Sequence, residues 1–294
     1  MFRFLKIVLP KRAVRFLKKK LQKRIDSQIL KLPPVDWTGI QINPLEAAIR
    51  TKRSPALLEV PLAKCRGLRA MAFPCEAQSN HPFIVALRAN DMTLLREYYN
   101  LVQPATVGEL FDTTSNNPIT QMPAMSYVYP WDGMPSDDIH KYRKVFVSNE
   151  TKIHGGTRKF EGWHHFGPLS HDKVKMEFQR LVSTYQSIKS KGYQRTDEPD
   201  GDIAGVLLLK DNDFRVVIQK GHHRIAALAA LGHSDVPVRI GISRKRYIDS
   251  GSVAEWPGVR SSAFTLQEAT QIFNRIYDGI QPAVCEAWRE FCKK

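Results

Sequence analysis

The stretch QKGHHRIAALAALGHSDVPVRI, Gln219–Ile240, decides how this chain is read. A glycine, two histidines and an arginine stand directly before a short alanine-rich apolar run. Gly232 closes that run, and Val236–Ile240 reads as a strand. The pattern predicts a strand-to-helix turn at Gly221, a helix of about ten residues and a return strand. Free backbone N–H groups and a partial positive charge make such a helix mouth a ready anion site. Glycine lets the backbone come close to a ligand. Arg224 adds a forked cation suited to phosphate, and His222 and His223 add donors that can titrate near neutral pH. Ala226, Ala227, Ala229 and Ala230 suit a helix packed tightly on its sheet. The bland alternative is a satisfied core histidine and an arginine in a structural ion pair.

Working outward, IAGVLLLK (Ile203–Lys210), the triplet DND and FRVVIQ (Phe214–Gln219) read as a β-hairpin. Before it, Phe178, Leu181, Tyr185 and Ile188 form one helical face, with Gly192 as its C-terminal cap. The order from Trp163 is helix, hairpin, helix, strand.

This ordered set resembles the ParB/sulfiredoxin superfamily. The resemblance is carried by Gly221–Arg224, Leu231-Gly232, Val236–Ile240 and the SIKSKGY segment Ser187–Tyr193. It covers Trp163 to Ser243, roughly a quarter of the chain. It implies an α/β (α+β) chain: a ParB/sulfiredoxin-like core at 161–243, an N-terminal α/β extension at 35–160 and a C-terminal helical segment at 244–294. The partition proteins of that family bind CTP and DNA through Gly-Glu-Arg-Arg, where this chain has two histidines in the middle. Sulfiredoxins place a catalytic cysteine where His222 stands, so their reaction is not expected. Free-serine kinases carry Asp-Gly-His-His-Arg. This chain matches from Gly221 to Arg224 but has Lys220 in place of the aspartate. The resemblance therefore implies ATP, ADP or CTP with Mg²⁺ as ligand, with Lys220, Gly221, His222, His223 and Arg224 around the phosphates. A looser resemblance, including Phe166-Gly167-Pro168, is to proteins of bacterial surface-polysaccharide gene clusters.

Phosphotransfer needs an acid or base within reach of the acceptor hydroxyl. Glu177, His165 and Asp172 are the candidates, with His164 nearby; the alternative for both carboxylates is a solvated helix face. No protein-only metal site is expected. Adjacent histidines on a strand or helix point apart, so His164-His165 and His222-His223 each offer one ligand at most, and no spaced histidine or cysteine pair supports more.

The chain has 294 residues and a formal net charge of +15. Ten of those charges lie in residues 1–24, which contain no acid, leaving +5 for the remaining 270. Val14, Leu17, Leu21 and Ile25 recur at helical spacing among the lysines and arginines. Residues 1–34 thus read as a basic amphipathic helix stopped by Pro33-Pro34. It is suited to an anionic membrane surface or to packing on the body. Four cysteines without a C-x-x-C pair fit reduced thiols in a cytoplasm. No run is long and apolar enough to span a bilayer, so the expected location is cytoplasmic, with or without peripheral attachment to the inner membrane face.

His81–Arg88 reads as a buried strand or helix, and Asp91–Val102 as a short capped helix. Gln103–Ser148 reads as long loops. Thr265-x-x-Glu268 is a capping box, and Cys285, Trp288 and Phe291 mark one face of a terminal helix. The expected function is Mg²⁺-dependent phosphotransfer from a nucleotide to a small hydroxyl-bearing substrate. The alternatives are a ParB-like nucleic-acid binder or nucleotide-switched clamp, favoured by Arg244, Lys245 and Arg246, and a membrane-surface accessory of envelope polysaccharide synthesis.

Overall fold

A computed structural model describes residues 32–52, 54–115, 117–132, 138–156, 161–195, 201–241 and 245–294. The basic N-terminal helix expected within residues 1–34 lies almost wholly outside the described residues, as do Ser243 and Arg244.

The hairpin is the centre of the fold. Strand β5 (Ala204–Lys210) and strand β6 (Asp213–Lys220) pair antiparallel, with Lys210 opposite Asp213. The turn is therefore the two residues Asp211-Asn212, not the triplet DND, and Asp211 takes the left-handed φ of +53° that a tight hairpin needs. Asp213 belongs to the strand, where it binds Lys64 and Arg215. Val206, Leu207, Leu208 and Val216–Ile218 are buried, which fits strands covered on both faces.

On one side of β5 run β7 (Asp235–Ile240) and, further along, β8 (Tyr247–Asp249), both parallel to it. Beyond β7 lie β2 (Ala56–Pro61), antiparallel, and β1 (Val35–Asp36). On the other side, β6 is followed by β3 (Cys65–Gly67) and β4 (Phe73–Pro74). One mixed eight-stranded sheet results, in the order β1-β2-β7-β5-β6-β3-β4 with β8 beside β5. The chain is α/β. The divisions expected near residues 160 and 243 do not interrupt this sheet: four strands come from before residue 160 and one from after 243, because both edges of the β5–β6–β7 unit would otherwise carry unpaired backbone groups.

Helices α1 (Pro44–Arg50), α2 (Pro82–Ala89), α3 (Met92–Leu101) and α4 (Val107–Phe111) follow in the first half. His81–Arg88 is thus helical, and the Asp91 carboxylate caps α3 at Thr93 N–H. Helix α5 (Ile139–Ile153) corrects the loop reading of Gln103–Ser148. The Pro- and Asp-rich run ends at Asp138, and α5 itself leaves Tyr142, Val145, Phe146 and Ile153 exposed, so its face is not a simple core stripe.

Helix α6 (His171–Lys191) is capped by the Ser170 hydroxyl and ends at Gly192, as expected. It packs against α3 and α7 (His222–Ala230), and α2 packs against α3 and α7. Ile225–Ala229 are all buried, because α7 packs against both α2 and α6; its alanines permit that approach. The C-terminal part holds α8 (Pro257–Arg260), α9 (Leu266–Asp278) with its Thr265/Glu268 capping box, and α10 (Glu286–Phe291). Cys285 and Trp288 are fully buried, and the Trp288 indole N–H donates to Asn80 O.

Candidate functional site

Strand β6 delivers the chain to Gly221, which sits at φ +83° as the N-cap of α7. A Cβ there would lie 2.9 Å from Ile203 Cα, so both the backbone angle and the space require glycine. Among the described residues no side chain caps α7, so its first N–H groups lack a side-chain acceptor.

The mouth of α7 opens into a cleft of about 1250 Å³. Lys220, Gly221, His222, His223 and Arg224 all line it, together with Arg69, Arg143 and Arg180. Glu150 is the one carboxylate among the described lining residues. Five cations and a helix N-terminus against one acid make the cleft electropositive. Helix α5 adds Tyr142, Phe146 and Ile153 to the same lining, beside its own Arg143 and Glu150, and the exposure of these three side chains reflects their place on the cleft wall.

Glu177 is 1% exposed and does not face the cleft as a free base. Its carboxylate accepts from Lys173 Nζ at 2.7 Å, Arg180 at 3.1 Å and His223 Nε2 at 3.0 Å. Burial alone would raise this carboxyl; the His223 bond and the surrounding positive charge outweigh it and hold it well below the usual range. Glu177 is thus an orienting group. It engages Nε2 of His223 and leaves Nδ1 with no hydrogen-bond partner among the described residues. The His223 ring stacks on Phe83 with centroids 5.2 Å apart, which fixes its plane. Lys173, 1% exposed at its side chain, completes the network by donating to Thr151 Oγ1 at 2.9 Å.

The His164-His165 pair does not obey the alternation expected of a strand or helix. Trp163–Phe166 is a tight turn closed by Phe166 N–H to Trp163 O at 3.1 Å. In a turn, neighbouring side chains can converge. The two rings lie 4.2 Å apart and point to the same place as His222. Tyr98 OH donates to His165 O at 2.7 Å and Tyr99 OH to His164 O at 3.0 Å, clamping the turn from α3. Gly167 follows under the same constraint: a Cβ there would sit 1.8 Å from Tyr99 O. Burial pushes the His164 imidazole down to about 4, and holds His165 and His222 well below the ordinary histidine range, so all three are neutral at pH 7. Asp172 is exposed in the first turn of α6 and is not among the cleft-lining residues.

Sequence reasoning missed Arg69, Arg143 and the α5 wall. Leu68 and Arg69 both adopt left-handed φ, +53° and +54°, an uncommon state for such residues. That kink aims Leu68 N–H at His222 Nδ1, 3.4 Å away, and lets Arg69 reach Gln219 O at 3.0 Å. Nothing local in the sequence announces it. Arg143 lies over the Tyr127 ring at 4.4 Å, also beyond local signals. Lys173 and Arg180 were missed as well, although their i,i+4 and i,i+3 spacing to Glu177 carried a signal, and Glu177 is buried with Lys173 rather than set on a solvated helix face.

Comparison with protein-family models, curated proteins and solved structures finds no match for this chain.

Proposed function

We propose that the cleft binds a phosphorylated small molecule, best matched by a nucleotide, and transfers a phosphoryl group from it to a hydroxyl. The observation that carries this reading is the convergence of Lys220, Arg224, Arg69 and the uncapped N-terminus of α7 on one cleft that also exposes apolar side chains of α5. Phosphates suit the floor. A base or other apolar portion suits the wall of Tyr142, Phe146 and Ile153. The volume accommodates a nucleotide and an acceptor together.

His223 is the acid–base residue of this reading. Held by Glu177 at Nε2, it takes the acceptor hydroxyl proton on Nδ1. The acceptor oxygen bonds to phosphorus as the bond from phosphorus to the leaving oxygen breaks, and the guanidinium of Arg224 and the helix N–H groups stabilise the charge on the transferring group. The described residues do not fit a protein-held Mg²⁺: that ion prefers oxygen ligands, Glu150 stands alone among the carboxylates lining the cleft, and Glu177 is taken up by Lys173, Arg180 and the Nε2 of His223. No step here runs through Mg²⁺. The likeness of Gly221–Arg224 to the kinase-type turn agrees with this reading. Nucleotide binding by the full chain, measured beside Arg224→Ala, tests it: weaker binding by the variant supports it and equal affinity removes it.

A further inference from the structure

We propose that His164, His165 and His222 form a three-imidazole site for a divalent transition metal of the zinc type, at the base of the cleft. One ring nitrogen from each lies within 4.8 Å of the other two. All three residues are at least nine-tenths buried. Nδ1 of His165 and Nε2 of His222 are buried without a hydrogen-bond partner among the described residues. Nine other buried polar atoms of the described residues also lack a partner, but here two of them fall on rings that converge with a third imidazole, and that convergence points to a shared ligand.

The chemistry of the donor set names the ion class. Neutral imidazoles bind zinc, copper, iron or nickel without first losing a proton, whereas Mg²⁺ and Ca²⁺ want oxygen. Three protein ligands with open positions towards a cleft are the arrangement of catalytic, not structural, zinc sites. Metal–nitrogen bonds of about 2.0–2.1 Å put tetrahedral ligand nitrogens about 3.3 Å apart, so closure on an ion asks the rings to move together by at most about 1.5 Å. The backbone behind two of them is already held by Tyr98 and Tyr99. Coordination through Nε2 of His222 puts that ring's proton on Nδ1 and ends the long 3.4 Å bond from Leu68 N–H. Lys220 and Arg224 line the same cleft as the three histidines, so water or an anionic oxygen would complete the sphere. This inference goes beyond phosphoryl transfer and stands without it, since the ligands are assembled by the fold alone.

The test uses the full chain, stripped with chelator and titrated with Zn²⁺ or Co²⁺ alone, no nucleotide present. The expected result is one equivalent bound with sub-micromolar affinity, intense visible bands of low-coordinate Co²⁺, and a shifted Leu68 amide resonance. His222→Ala and His165→Ala should each weaken Zn²⁺ at least a hundredfold, while His233→Ala, an exposed histidine away from the cleft, leaves it unchanged. Should the histidine variants fail to fold, the wild-type chain still decides. Failure of the stripped wild type to bind either ion at micromolar concentration, or binding without a Leu68 shift, overturns the proposal.

Discussion

Oε2 of Glu177 lies 3.0 Å from Nε2 of His223, joining the second turn of α6 to the first turn of α7. The same carboxylate neutralises Lys173, which has almost no access to water. One buried acid therefore sets the imidazole of the cleft and compensates the cation beneath it.

Glu177→Gln keeps the shape and removes the charge. It strands the Lys173 ammonium, so unfolding free energy should fall by about 3–5 kcal/mol. Adding Lys173→Met should recover much of that loss, because the two residues share one network. Urea denaturation of the single and double variants measures both. A double variant as unstable as the sum of the singles would contradict the coupling.

The pH dependence follows from the same carboxyl. Burial raises it, but the His223 bond and nearby charges lower it more, so its folded value lies below its unfolded one. Its contribution is fully present above the unfolded value of about 4.3 and is lost as pH falls through the folded value. Wild-type stability should drop on acidification below about pH 4.3, and Glu177→Gln should show a shallower slope in that window. Parallel slopes in a thermal-melt series from pH 6 to 3 would exclude this role.

Glycines at the site should divide by what surrounds them. Gly167→Ala drives a methyl into Tyr99 O at 1.8 Å, so the His164-His165 turn cannot form and soluble yield should collapse. Gly221→Ala meets both a φ of +83° and Ile203 Cα at 2.9 Å. Gly232→Ala, at φ +87° with nothing within 4 Å, should cost only about 1–2 kcal/mol for the left-handed backbone. Unfolding curves that rank Gly232→Ala as the most damaging of the three would contradict the geometry.

How much of this was legible varies with how local the signal is. The β5–β6 hairpin, the Gly221 turn, the Gly192 stop and the Thr265 capping box were all readable, because each rests on residues a few positions apart. The site residues Lys220–Arg224 do line one cleft. What could not be read was the partner at a distance. Arg69 arrives through two left-handed positions, Leu68 and Arg69, neither of which is a glycine. The convergence of His164 with His165 depends on a turn that Tyr98 and Tyr99 hold from α3. Strands β1, β3 and β4 were hidden because a two- or three-residue strand carries no periodicity, and the six-residue β2 is buried at four of its six positions and so shows no alternation.

Anion binding should track the floor of the cleft. Arg224→Ala and Arg69→Ala each remove a forked cation whose bond to phosphate contributes about 1.5–3 kcal/mol, or roughly ten- to a hundredfold in affinity. Phe146→Ser, on α5, should weaken a nucleotide but leave inorganic pyrophosphate unchanged, read by competition binding. Equal losses for both ligands would separate α5 from the apolar part of the site.

The central claim is that the mouth of α7 holds phosphate. Calorimetric titration of the full chain with ATP, ADP and CTP, each beside the Arg224→Ala variant, tests it most directly. Binding of at least one nucleotide at micromolar concentration, weakened at least tenfold in the variant, is the predicted result. No heat from any of the three, or affinities that Arg224→Ala leaves unchanged, would contradict it.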